Sequence, residues 1–300
     1  MNMKLSNLYL LTVLLLAACV KTEPMIPTPT LPPSTETPIP SKTPLPTENP
    51  IPSETPLPTV TPEGDIGSTW VRPKDGMAMV YVPKGVFTMG SDLGEPDEQP
   101  VHDVYLDAFW MDQTEVTYTM YASFAPSRSG QYPVQNATWE QASAYCAWVG
   151  SRLPTEAEWE KAARSPDKRT YPWGNQNPAD DLVNFADVKS RLSWGDVNVN
   201  DGYENVAPVG SYPAGASMYG ALDMAGNLAE WVNDWYDETY YSTSPLDNPT
   251  GPAEGFFRAL RGGSWYGNAD SLRTTDRSWY IPEGGTDYVG FRCAQSTVVP

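Results

Sequence analysis

The stretch TWEQASAYCAWVGSRLPTEAEWEKAARS (138–165) decides how the folded part of this 300-residue chain is read. Thr138 precedes Gln141 by one helical turn, and Thr155 stands in the same relation to Glu158. Each pair is a capping-box pattern: the hydroxyl accepts from a free backbone N–H, and the Gln or Glu side chain returns a bond to the cap residue. This spacing predicts helices over 138–150 and 155–165. Ahead of them, MAMVYVPKGVFTMGS (77–91) alternates apolar and polar residues around Lys84-Gly85, which predicts a hairpin. VYLDAFWMDQTEVT (104–117) predicts a further strand or pair of strands. Behind them the chain turns irregular. PWGNQNPADD (172–181), WGDVNVNDGYENVAPVG (194–210) and PAGASMYG (213–220) are rich in Gly, Asn, Asp and Pro, with few periodic runs. Loops of that length inside a folded domain need ties, such as tryptophans, a disulfide or metal ions.

The N-terminal part has a different character. MNMKLSNLYLLTVLLLAAC (1–19) has a polar start with Lys4, an apolar run from Leu8 to Leu16, and small residues before Cys19. That is the build of a secretory signal, too short for a comfortable membrane span. Leu16-Ala17-Ala18-Cys19 resembles the lipobox of bacterial lipoproteins, which implies lipidation of Cys19 and a lipid-anchored, extracytoplasmic protein. Residues 20–63 are almost entirely Pro, Thr, Ser and Glu, with a hexad repeat: TPIPSK (37–42), TPLPTE (43–48), NPIPSE (49–54), TPLPTV (55–60). Proline fixes φ and removes donors, so a semi-rigid polyproline II stalk is expected, with a reach on the order of 120 Å. The folded domain is expected over 64–300. The net charge of −18 at pH 7 argues against nucleic acid as a partner and suits divalent cations better. If Cys19 carries lipid, Cys146 and Cys293 remain of the three cysteines. In an oxidising compartment an even pair is expected to form a disulfide in preference to two free thiols.

Several segments carry a family resemblance: VPKGVFTMGS (82–91), PVHDVYLDAFWMDQTEVT (100–117), ASAYCAWVGSRLPTEAEWEKAAR (142–164), YPWGN (171–175), APVGSYPAG (207–215), YGALDMAGNLAEWVNDWY (219–236), LRGGSW (260–265) and VGFRCA (289–294). In that order they resemble the formylglycine-generating enzyme, or sulfatase-modifying factor, family. The resemblance implies a loop-rich α+β domain with little regular secondary structure, related to C-type lectins. It also implies a disulfide between the cysteine of the AYC helix, Cys146, and that of the closing GFRC, Cys293.

The family's enzymes oxidise a substrate cysteine to formylglycine, using oxygen and copper held by two cysteines. Thiolate and Cu(I) are both soft, which is why cysteine suits that role. By the resemblance those cysteines fall three and eight residues after Ser264, where this chain has Gly267 and Leu272. The family's active-site tryptophan falls on Ala229. Copper chemistry is therefore not expected, and no catalytic residue is assigned. The single histidine, His102, excludes multi-histidine zinc or iron sites. Ser264 lies outside any nucleophile elbow. The acid pairs Asp180-Asp181 and Asp234 with Asp237 read as surface charge rather than glycosidase carboxylates.

Calcium is the expected cofactor. The resemblance implies one site with the Asn184 and Asp201 side chains and the carbonyls of Phe185 and Tyr203. It implies a second with the Asp223 and Glu230 side chains and the carbonyls of Gly226 and Leu228. All are hard oxygen donors on irregular backbone. Without the thiols, the expected work is binding a protein, peptide or glycan. The face expected to do it carries Ser264, Tyr266, Asn268, Asp270, Arg273, Arg277, Trp279, Tyr280 and Tyr288, since aromatics with Arg and Asn make well-anchored contacts. Residues 266–288 are also similar to the variable segment of diversity-generating retroelement proteins, framed by an RGGSW-like start and a GFR-like end. An active enzyme on the same scaffold is the alternative.

Overall fold

Both capping boxes close. The Thr138 hydroxyl accepts from the N–H of Gln141 at 3.2 Å, and the Gln141 carboxamide accepts from the N–H of Thr138 at 3.1 Å. Thr155 and Glu158 repeat the exchange at 3.2 and 2.8 Å. The computed structural model describes residues 64–297, so the expected signal segment, Cys19 and the stalk lie outside the described residues. In chain order its elements are β1 (Thr69–Val71), β2 (Ala78–Val82), β3 (Gly85–Met89), β4 (His102–Leu106), β5 (Phe109–Asp112), α1 (Tyr118–Tyr121), α2 (Trp139–Trp148), α3 (Glu156–Arg164), β6 (Ala229–Trp235), β7 (Arg258–Arg261), β8 (Arg277–Tyr280), β9 (Val289–Gly290) and β10 (Ala294–Ser296). α1 is a single turn, capped by Thr117 at 3.3 Å, and is too short to have shown a period.

Three sheets carry these strands. One has the antiparallel order β1-β2-β5-β10, and a second is the pair β3-β4. The third has the order β8-β7-β6-β9, with β6 and β9 parallel. The hairpin expected around Lys84-Gly85 does not form. β2 and β3 flank that position, yet β2 pairs with β1 and β5 while β3 pairs with β4. Pro83-Lys84 lacks the left-handed residues that a tight hairpin turn needs, so the chain crosses from one sheet to another. The stretch 104–117 does hold a pair of strands, β4 and β5, divided between the two sheets.

α2 lays Tyr145 and Cys146 into a cluster with Trp110, Trp231 and Phe291. α3 buries Trp159 in a second cluster with Phe109 and Val232. Cys146 and Cys293 are bonded, with Cα atoms 5.6 Å apart and neither residue exposed, so α2 is tied to the C-terminal strand as expected. Buried ion pairs add further ties. Arg292 forks onto Glu230 at 2.7 and 2.6 Å, Arg277 onto Glu156 at 2.8 and 2.9 Å, and Arg261 reaches Glu160 at 2.7 Å.

Between α3 and β6 there is no named strand, and acidic side chains hold the backbone instead. Asp187 accepts from the N–H groups of Lys189, Ser190 and Asp201. Asp201 accepts from those of Phe185 at 3.0 Å and Tyr203 at 2.9 Å. Asn227 accepts from Ala207, and Asp223 from Gly210. These bonds satisfy backbone donors that would otherwise seek a ladder.

Candidate functional site

β7 ends at Arg261 and runs into two glycines in the left-handed region, Gly262 at φ 94° and Gly263 at φ 65°. Only glycine fits here without strain. A Cβ on Gly262 would meet the Trp159 ring at 3.0 Å, and one on Gly263 the Ser271 carbonyl at 2.5 Å. The turn buries Ser264 and Trp265. Trp265 donates its backbone N–H to Asn227 and its indole N–H to the Asp287 carbonyl. A short 3-10 turn follows over Ala269–Leu272, capped by Asn268 accepting from Asp270.

The two positions that match the family cysteines are both packed. Leu272 is fully buried among Leu182, Val183, Phe185, Val199 and Ala225. A Cβ on Gly267 would stand 2.3 Å from the Ser271 hydroxyl, which would have to turn away. Ala229 opens β6 and is buried in the main cluster. His102 sits beside the Tyr241 ring, with its Nδ1 at 2.9 Å from the Pro100 carbonyl.

The expected binding face divides into two groups. In the first, Tyr266 stacks on Tyr288 at 5.6 Å and meets Trp194 and Trp265 edge-on at 5.0 and 5.7 Å. Trp194 donates its indole N–H to the Tyr266 carbonyl. Trp265 also lines a cleft of about 390 Å³ with Arg128, Tyr132, Gln135, Asn205 and Asp287. Gln135 donates to the Asp287 carbonyl and accepts from Arg128, which lies 4.0 Å above the Tyr118 ring. In the second group, Trp279 packs on Phe257 at 4.2 Å and Tyr236 at 6.1 Å, and Tyr280 leans on Trp231. Asn268 and Asp270 stand exposed on the 3-10 turn.

Two expected contact residues are otherwise engaged. Arg277 is buried and committed to Glu156, and Arg273 pairs with Glu98 at 2.8 Å. Both guanidiniums serve the fold, because a buried acid here needs a partner. Ser264 is likewise buried. Sequence reading missed Trp194, Arg128, Tyr132, Gln135, Asn205 and Asp287. They come from separate loops, with no motif or spacing to join them. Another cavity, of about 720 Å³, lies apart, against Tyr81, Arg152, Glu158 and Asn248, and contains no residue of the expected face.

The residues expected to form the first calcium site lie close together. Asn184 and Asp201 are buried side by side through the Asp201–Phe185 bond, and Asp201 also holds the backbone of Tyr203. Burial pushes the Asp201 carboxyl up to about 6, with Asp187 and Asp180 adding to the effect. A desolvated carboxylate of that kind, close to Asn184, suits a hard cation. The Asn184 amide group donates to Asn205 and Asn227, so only its oxygen would be open to a cation.

The second set is different. Glu230 has the Arg292 guanidinium on both oxygens and the Trp159 indole N–H on one, so a cation there would have to share them. Asp223 adjoins Glu115, whose carboxyl is pushed well up by burial first and then by Asp223 and Glu230. Among the described residues, no three His, Cys, Asp or Glu stand together at metal-holding distance, so either set depends on Asn and carbonyl oxygens.

Comparisons with known proteins agree with this architecture. A family model described as the sulfatase-modifying factor enzyme 1-like domain matches residues 68–297. The formylglycine-generating enzyme of Streptomyces coelicolor is 33% identical over 292 residues, covering 74% of this chain and 90% of that protein. The serine/threonine-protein kinase pkn1 of Chlamydia caviae is 34% identical over 251 residues, covering 72% of this chain but 38% of its own length. Among solved structures, PvdO from Pseudomonas aeruginosa superposes with a TM-score of 0.67 at 26% identity, covering 78% of this chain and all of that one.

Proposed function

The chain belongs to the sulfatase-modifying factor enzyme 1-like family, and from that premise we propose that it is a binding member of the family without cysteine-oxidising activity. The observation that carries this reading is Leu272, which takes one thiol position and is sealed in an apolar cluster. Gly267 takes the other and has no side chain. The reaction centre is absent rather than detuned, since neither residue can hold Cu(I). Incubating the protein with a sulfatase-type cysteine peptide, oxygen and copper should yield no aldehyde by mass spectrometry. Product above a no-enzyme control would restore the enzymatic reading.

The binding surface is the Tyr266, Tyr288, Trp194 and Trp265 group with the adjoining cleft. Rigid aromatic planes beside Gln, Asn and Arg suit a protein, peptide or glycan ligand. Calcium at Asn184, Phe185, Asp201 and Tyr203 would brace the loop that carries Trp194. Lipidation at Cys19 with a proline-rich spacer would present the domain outside the membrane. Metabolic labelling with a clickable fatty acid, lost in Cys19→Ser, tests the anchor.

A further inference from the structure

β8 ends its sheet. β7 lies on one side of it, and among the described residues no strand lies on the other. An antiparallel strand directs its N–H and C=O groups alternately to its two neighbours, so about half of those on Arg277–Tyr280 face away from β7. No other described backbone group pairs with them. Ser278 and Trp279 are both exposed, although a strand covered on one face should expose only alternate residues. Natural edges are commonly blunted by lysine, proline or a bulge. The sequence RSWY has neither residue, and its pairing with β7 runs without a register shift.

The side chains beside this edge are apolar and open. Trp279 is 45% exposed, and its ring contacts Phe257. Phe256, next in the chain, is 89% exposed, and Ile281 just past β8 is 46% exposed. The charge around them is negative on balance, with Arg258, opposite Tyr280 on β7 and stacked on Trp139 and Trp235, the cation set against the acids. The backbone carbonyls of Asp97 and Asp237 accept from Arg277, which sets these two acidic residues at one end of the strand, the Asp97 carboxylate accepting from the Tyr236 hydroxyl, while Arg277 itself is cancelled by Glu156. Glu283 follows at the other end. A second copy of a chain with net charge −18 would bring like charge against like. A basic segment would not.

We propose that the β8 edge takes an extended segment of another polypeptide, with Lys or Arg flanking an apolar residue that packs on the exposed Trp279 ring. Main-chain bonds to β8 would supply affinity, and the Trp279 ring and the acids would supply choice. This site shares no residue with the Tyr266 group, so it stands or falls independently of it.

The probe is a fluorescein-labelled Lys-Val-Lys-Val-Lys peptide titrated with the full chain by anisotropy. Saturable binding is expected, and it should weaken about tenfold in Trp279→Ala. It should fall again in about 0.5 M salt and be absent for Glu-Val-Glu-Val-Glu. Amide exchange over 277–280 should slow in the complex. Ser278→Pro should also weaken binding, and Trp279→Ala keeps the test sound if the proline variant fails to fold. Tyr266→Ala should leave the titration unchanged. No saturation up to about 1 mM would overturn the proposal. So would binding that folded Trp279→Ala retains in full, or a dimer of the chain that Trp279→Ala dissolves, since a second copy would then own the edge.

Discussion

The sheet-and-helix part of this protein and the loop segment between α3 and β6 are ordered by different forces. In the first, backbone ladders, two aromatic clusters and buried Arg–carboxylate pairs hold the chain, and a disulfide closes it. In the second, the ladders are replaced by Asp and Asn side chains that accept from backbone N–H groups. An irregular segment need not be loose, because carboxylates can do for single donors what a neighbouring strand does for a row of them. The cost is that those acids are desolvated, and Asp201 is pushed up to about 6 by that burial.

Breaking the first part should have the largest effect. Cys146 and Cys293 are 147 residues apart, and closing a loop of that length removes about 5 kcal/mol of unfolded-state entropy. Cys146→Ser with Cys293→Ser should therefore lower stability in denaturant melts by roughly that amount. Thiol labelling of the unreduced, denatured domain should find neither cysteine free. Next comes Arg292→Met. Arg292 is fully buried and forks onto Glu230, so its loss strands a buried carboxylate, for a cost of about 3–5 kcal/mol. If the variant melts like the wild type, the pair is not what ties β6 to the C-terminal strand.

Much of the first part was legible in the sequence, and little of the second. Thr138 with Gln141 and Thr155 with Glu158 are local signals, and both helices appear where the caps predict. The turn at Lys84-Gly85 was misread because strand alternation says nothing about which sheet a strand joins. Gly267 and Leu272 could be placed by motif, but the burial of Leu272 depends on Leu182 and Val199, far off in the chain. Arg273 and Arg277 looked like contact residues because their partners Glu98 and Glu156 are remote in sequence. The cleft around Trp265 is built from several loops, and nothing in the chain announces that they meet.

The loop segment offers a smaller and more selective test. Calcium that binds only the folded state adds RT ln(1 + [L]/Kd), about 2.7 kcal/mol at a hundredfold excess over Kd. Chelator should lower the melting temperature, and amide exchange should rise first across 184–203. Asp201→Ala should remove most of that response, while Glu230→Gln should destabilise the protein with or without the ion. Melting curves that ignore chelator would leave the side-chain bonds of Asp187, Asp201, Asp223 and Asn227 to brace the segment without an ion.

The smallest expected effect concerns Asp276, just before β8. Burial pushes its carboxyl up to about 7, although Arg273 and Arg261 pull it down; Glu98 and Asp97 push the same way as burial. The folded state then holds the proton more tightly than the unfolded chain, whose carboxyl ionises near its ordinary value. The stabilisation is present in full below about pH 4 and is lost as pH rises towards 7. Asn mimics the protonated carboxyl, so Asp276→Asn should match the wild type at about pH 4. With 18% of the side chain open to solvent, screening trims the linkage, and the variant should gain about 1–2 kcal/mol by pH 8. The difference between the two melting profiles isolates this one group from the other buried acids. A flat difference across that range would mean that Arg273, 3.5 Å away, keeps Asp276 ionised throughout.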